Sequence, residues 1–259
     1  MRPLTVLAAC LALLFAAPGA ALASASEEGL LVFDTVGLIG ADSRAMQADA
    51  TTGQPGTAGE CDDPSFRFAG PRWKKFERYY VNAASAPAGL NRTALVQDLV
   101  AAHEAWEAPF ATDCPRPAGE SEYTALFGGL TRRTASLVAT GSADGVNAVA
   151  FISLAGTACD GAAACVVIDY EKGRIREADL ALEKDLTRYG FQDFWTTDDT
   201  TSFDAVGGDW AVVDVATHEF GHFAGLDHVD SPALTMFSYV HDGAQTLGLG
   251  DMLGILARY

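Results

Sequence analysis

The chain has 259 residues, with 34 acidic against 17 basic side chains and a formal net charge of −17 at pH 7. A surface this acidic argues against nucleic acid and anionic membrane surfaces as partners. Hydrophobic residues make up 49%, enough for a sizeable core, and the length suits one domain with extensions.

The first stretch, "MRPLTVLAACLALLFAAPGAALASASEEG", has the pattern of a secretory signal over residues 1–23. Arg2 gives a short positive start and Leu4 to Ala17 an apolar run. Pro18 and Gly19 break that run ahead of the small-x-small site Ala21-Leu22-Ala23. The run falls short of the ~20 apolar residues that cross a bilayer, so no membrane anchor is expected. Export to the exterior of the cell is the expectation. Residues 24–65 then form an N-terminal segment or short propeptide, and 66–259 the folded domain. In that segment one apolar run, "GLLVF", precedes a glycine-, threonine- and alanine-rich linker, and ordered structure is expected to begin near Phe66.

Removal of the signal takes Cys10 and leaves Cys61, Cys114, Cys159 and Cys165. An even number of cysteines in an exported chain suggests two disulfides, although four cysteines allow three pairings. Cys159 with Cys165 would close the short loop "CDGAAAC", leaving Cys61 with Cys114.

"KKFERYYVN", Lys74 to Asn82, reads as a strand from its aromatic and β-branched content. A helix follows, with Leu95, Val96, Leu99, Val100, Ala102 and Trp106 at helical spacing and Asn91 or Thr93 as its cap. Three strands are expected at Val146 to Leu154, Cys165 to Glu171 and Arg174 to Glu183. A long acidic loop from Gly190 to Trp210 leads to a histidine-bearing helix, and "LGDMLGILARY" closes the chain as another helix. Asp198, Asp199, Asp204 and Asp209 in that loop make calcium binding conceivable, against the plainer reading of a solvated acidic loop. This order of elements indicates a layered α/β or α+β domain.

The histidine helix carries the chemistry. In "VVDVATHEFGHFAGLDH", His218 and His222 lie four apart and project from one helical face. Gly225 can end the helix and turn the chain back, which would deliver His228 as a third ligand. Three neutral imidazoles around zinc leave a fourth position for water, the arrangement of a catalytic rather than a structural site. Glu219 points away from His218 and would stand beside that position, able to take a proton from a water the metal acidifies. The plain alternative is an amphipathic or core helix that happens to match His-Glu-x-x-His. The third histidine and the glycine weigh against it, and so does Met236 eight residues beyond His228.

"HEFGHFAGLDH" followed by Met236 resembles the extended zinc signature of the metzincin endopeptidases. The flanking "VATHEFGHFAGLDH", "TLGLGDMLGILARY", "DGVNAVAF" and "GRIREADLAL" are most similar to the matrixin branch, in its short bacterial form. The resemblance implies a twisted, mostly parallel sheet with one antiparallel edge strand, the strand Cys165 to Tyr170, along which an extended peptide is held. It implies His218, His222 and His228 as zinc ligands, Glu219 as general base and acid, and Met236 as the floor beneath the metal. Tyr239 would wall the pocket or steady the transition state.

Val229 stands where matrixins usually have serine, a departure within the signature. One zinc is expected, because His103 and His241 read as a helix residue and a loop residue. The prodomain cysteine motif is absent, and Cys61 in "GECDDPS" reads as a disulfide cysteine. Asp62 or Asp63 could instead bring a carboxylate over the zinc.

The function expected is that of a secreted, monomeric zinc endopeptidase acting on proteins or peptides. Two other classes fit the ligands: an exported binding module that uses zinc only for stability, and a metalloenzyme with non-peptide substrates. Glu219 argues against the first and the matrixin-like sheet against the second.

Overall fold

The computed structural model describes residues 28–34, 59–74, 77–137, 143–185, 194–197, 210–239 and 244–259. The expected signal peptide, the four aspartates at 198–209 and His241 lie outside the described residues. Among the described residues no helix is long and apolar enough to cross a membrane.

A six-stranded sheet forms the body of the domain. Its strands are β1 (Glu28–Asp34), β3 (Glu77–Asn82), β4 (Ala125–Leu130), β5 (Asn147–Ile152), β6 (Ala164–Glu171) and β7 (Arg174–Glu183). They lie in the order β1-β6-β7-β5-β3-β4. β4, β3, β5 and β7 are mutually parallel, whereas β6 runs antiparallel to β7 and β1 antiparallel to β6. The mostly parallel sheet with an antiparallel β6 agrees with the expected fold. The edge position expected for β6 does not, because β1 lies outside it. Order therefore begins before Phe66.

Alternation along the strands sorts the core into two layers. Val149, Phe151, Val166, Ile168, Leu180 and Leu182 face the helices, in the larger cluster of buried residues. Ala150, Cys165, Val167 and Ala181 face the other way, onto Leu154, Cys159 and Ala162. The first helix, α1 (Arg92–Glu104), starts where Asn91 Oδ1 accepts from the Thr93 and Ala94 amides at 3.0 and 3.2 Å. His103 in its last turn is fully buried, with its ring edge-on to Phe220.

The second helix, α2 (Val212–Phe223), is buried along its whole length. A helix sheltered on every side is apolar all round, and its sequence apart from Asp214, Thr217 and the His-Glu-x-x-His residues is just that. The two-residue strand β9 (Trp210–Ala211), paired with β8 (Trp195–Thr196), runs directly into it. The last helix, α3 (Leu249–Arg258), closes the fold.

Two disulfides form, Cys61–Cys114 and Cys159–Cys165. The first ties the Gly59–Asp63 turn to the segment before Arg116. Ala111 O and Glu60 O in these two segments accept from Leu247 and Leu249 at the start of α3.

Candidate metal centre and active site

His218 and His222 project from one face of α2, with ring centroids 4.8 Å apart. Gly225 takes a positive φ of 91° and ends the helix. A Cβ there would press on the Pro71 carbonyl oxygen at 2.7 Å, so glycine is required on both counts. The chain then returns through the short strand β10 (Leu226–Asp227), which pairs with β2 (Arg67–Phe68), and presents His228.

The three Nε2 atoms form a nearly equilateral triangle: 3.1 Å between His218 and His222, 3.2 Å between His218 and His228, and 3.0 Å between His222 and His228. His218 Nδ1 lies 2.6 Å from the Thr235 carbonyl oxygen, and His222 Nδ1 lies 3.0 Å from that of Leu226. A carbonyl only accepts, so each Nδ1 carries the proton and each Nε2 turns a lone pair inward. Two acceptor nitrogens do not hydrogen-bond each other, so their approach to 3.1 Å is unfavourable unless a cation sits between them. A triangle of this size suits zinc, with nitrogen ligands at about 2.0–2.1 Å. Burial, reinforced by the neighbouring His218 and His228, holds the His222 imidazole far below its ordinary pKa and therefore in the neutral form a metal requires.

The supports of this triangle come from distant parts of the chain. Trp106 Nε1 donates to the Thr217 carbonyl at 2.8 Å, just ahead of His218. Trp73 Nε1 and Tyr259 Oη donate to the Phe223 and Ala224 carbonyls, which end α2. Met236 is buried beneath the helix, and a Cβ on Gly221 would collide with its Sδ. The turn that carries Thr235 and Met236 is clamped by Asp251 of α3. Its carboxylate accepts from the Thr235 and Met236 amides at 2.9 and 3.2 Å, and from Gly248 at 3.0 Å.

Residues 153–259 match the family model for matrixin, which supports a matrixin-like metzincin over that region. A comparison with curated proteins finds no match. Matrixins are zinc metallopeptidases, so the match supports a metallopeptidase. The matched region holds β6, β7, α2, the histidine triangle, Met236 and α3.

Each residue expected at the site is among the described ones. His218, His222 and His228 come together, Glu219 is fully buried next to His218, and Met236 lies below. Tyr239 is half-buried and packs its ring on Phe237 at 5.6 Å. His103 is a helix residue, as expected, and is buried in the core. Asp62 is exposed and Asp63 accepts from the Ser65 amide at 2.9 Å, inside its own turn. Among the described residues of the N-terminal segment, Phe33 reaches the histidines, its ring stacked on His222 with centroids 4.5 Å apart and planes 15° apart. Sequence reasoning missed Phe33, Thr235 and Asp251. An aspartate among the apolar residues of the first two turns of α3 was the one available signal for Asp251.

Proposed function

We propose that the chain is a secreted, zinc-dependent endopeptidase that hydrolyses peptide bonds of protein or peptide substrates as a monomer. The observation that carries this reading is the triangle of Nε2 atoms within 3.2 Å of one another, on and beyond the helix that also buries Glu219. Zinc bound there would supply a Lewis acid, able to lower the pKa of water to about 7 and to polarise a peptide carbonyl. His218, His222 and His228 would hold the ion, and the Thr235 and Leu226 carbonyls fix two of the rings. Glu219 accepts the proton of the attacking water on a carboxylate oxygen and passes it to the amine that leaves. The putting-together of a signal-like leader and two disulfides supports export.

The test is zinc content of the purified chain together with casein clearing. Clearing should stop with a chelator and return with added zinc. A chain that binds no zinc, or clearing that persists under chelation, would overturn the reading.

A further inference from the structure

Three cations meet at a place that the metal chemistry does not use. Arg72, Lys74 and Arg174 line one cavity of about 220 Å³, together with Trp73, Glu122, Tyr123 and Tyr259. The backbone sets the two arginines side by side. The Arg72 amide donates to the Gly173 carbonyl at 3.2 Å, and the Ile175 amide donates to the Arg72 carbonyl at 3.0 Å. The three basic side chains are exposed. Among the described residues none of the three forms an ion pair, in a chain whose net charge is −17. Arg72 donates from Nη1 to the Arg258 carbonyl at 3.0 Å, and a guanidinium has further N–H groups to spare.

The floor of the cavity is aromatic. Tyr123 and Tyr259 pack ring on ring with centroids 5.0 Å apart, and Trp73 is buried. Their polar atoms are engaged elsewhere. Tyr259 Oη donates to the Ala224 carbonyl at 2.7 Å and accepts from the Trp73 amide at 3.3 Å, and Tyr123 Oη lies 3.4 Å from His103 Nε2. The Trp73 indole donates to the Phe223 carbonyl at 2.8 Å. What the rings offer the cavity is therefore mainly carbon surface.

We propose that this cavity binds the C-terminal residue of a peptide that ends in an apolar or aromatic side chain, held by its carboxylate. Binding here needs neither zinc nor Glu219, so it stands apart from the endopeptidase reading. Arginine forks and an ammonium suit the two oxygens of a carboxylate, and such charge-assisted bonds are roughly twice as strong as neutral ones. The apolar side chain lies on the tyrosine rings, as in sites that are mostly apolar with a few placed polar groups. The volume, below the roughly 300–1,000 Å³ of drug-sized pockets, suits a single residue. Glu122 on the same wall offers an acceptor to the N–H of that residue.

The experiment is calorimetry on the full chain with both disulfides intact and zinc loaded. The probes are N-acetyl-phenylalanine, its uncharged amide and inorganic phosphate. The carboxylate should bind roughly tenfold or more tightly than either of the others. Lys74→Gln/Arg174→Gln should weaken it about tenfold or more at an unchanged thermal midpoint, because both side chains are exposed. Glu122→Gln keeps an acceptor and removes a repelling charge. The same probe should then bind more tightly, a gain that misfolding cannot produce. Equal affinity for acid and amide, or phosphate bound as tightly as the carboxylate, overturns the proposal. So does an affinity that Lys74→Gln/Arg174→Gln leaves unchanged, as a carboxylate sitting on the zinc would show, and so does no uptake of any probe.

Discussion

Gly221 and Met236 meet beneath the histidine triangle with no room for a methyl group between them. The same missing Cβ also leaves space for the Trp106 ring, whose nearest atom would stand 2.7 Å away. Gly221→Ala should therefore force Met236 or Trp106 aside. Overpacking of this kind costs about 1–3 kcal/mol. A lower urea midpoint and a weaker zinc affinity are the expected outcome, and an unchanged zinc affinity would show that Met236 does not brace the ligands.

Ligand and base should separate by mutation. Glu219→Gln keeps the shape of the side chain and removes the proton acceptor, so zinc should stay at about one per chain while turnover falls by about 10²–10⁴-fold or more. His222→Ala should lose zinc and lower the thermal midpoint as well. Metal analysis and peptide hydrolysis on the same samples check both, and zinc loss in Glu219→Gln would make that residue a ligand.

Two buried groups away from the histidines set opposite pH dependences. Burial pushes the Asp179 carboxyl up from 3.8 to about 7, against the hydrogen bonds it accepts from Ala148 and Ser136. Its protonated form is favoured in the fold, so its stabilising contribution is full below pH ~4 and fades as pH rises toward 7. Burial pushes His103 down from 6.5 to about 3, so the unfolded chain takes up a proton that the fold refuses, and stability is lost as pH falls below 6.5. Thermal scans from pH 4 to 8 should show Asp179→Asn losing less stability than wild type on the alkaline side. His103→Phe should lose less on the acid side. Parallel curves for all three chains would count against both assignments.

The two disulfides should differ in weight. Cys61–Cys114 closes a sequence separation of 53 and Cys159–Cys165 one of 6. Chain-entropy arguments give about 4 kcal/mol for the longer loop and about 2 kcal/mol for the shorter. Denaturant midpoints of Cys61→Ser/Cys114→Ser and Cys159→Ser/Cys165→Ser should fall in that order. The reverse order would show that the short bridge does more than close its own loop.

The parts of the site that depend on local geometry were legible in the sequence. Four-residue spacing fixes the common face of His218 and His222, and a glycine three residues later marks where the helix can end. The central strands β5, β6 and β7 announce themselves as apolar runs, and cysteine parity leaves few pairings. The strand β4 was missed because Gly128, Gly129 and the exposed Leu126, Phe127 and Leu130 erase its buried pattern. Thr235 acts through its carbonyl, which every residue has, so its side chain gives no hint. β1 escaped for a different reason. Its apolar run was visible, but its partner strand begins at Ala164, and short runs beside a linker carry no sign of such distant pairing. The edge role assigned to β6 failed with it.

The pairing of β1 on β6 also bears on how the molecule behaves among its own copies. If the strand leaves, β6 shows a bare row of amides and carbonyls flanked by Val166 and Ile168, and such an edge is a template for other chains as well as for substrate. A chain with β1 displaced should therefore self-associate more readily than one that keeps β1 in place. Its net charge of −17 works against that tendency, and the charge is screened by salt. Storage of the opened form should be safest at low ionic strength, with light scattering rising as salt is added.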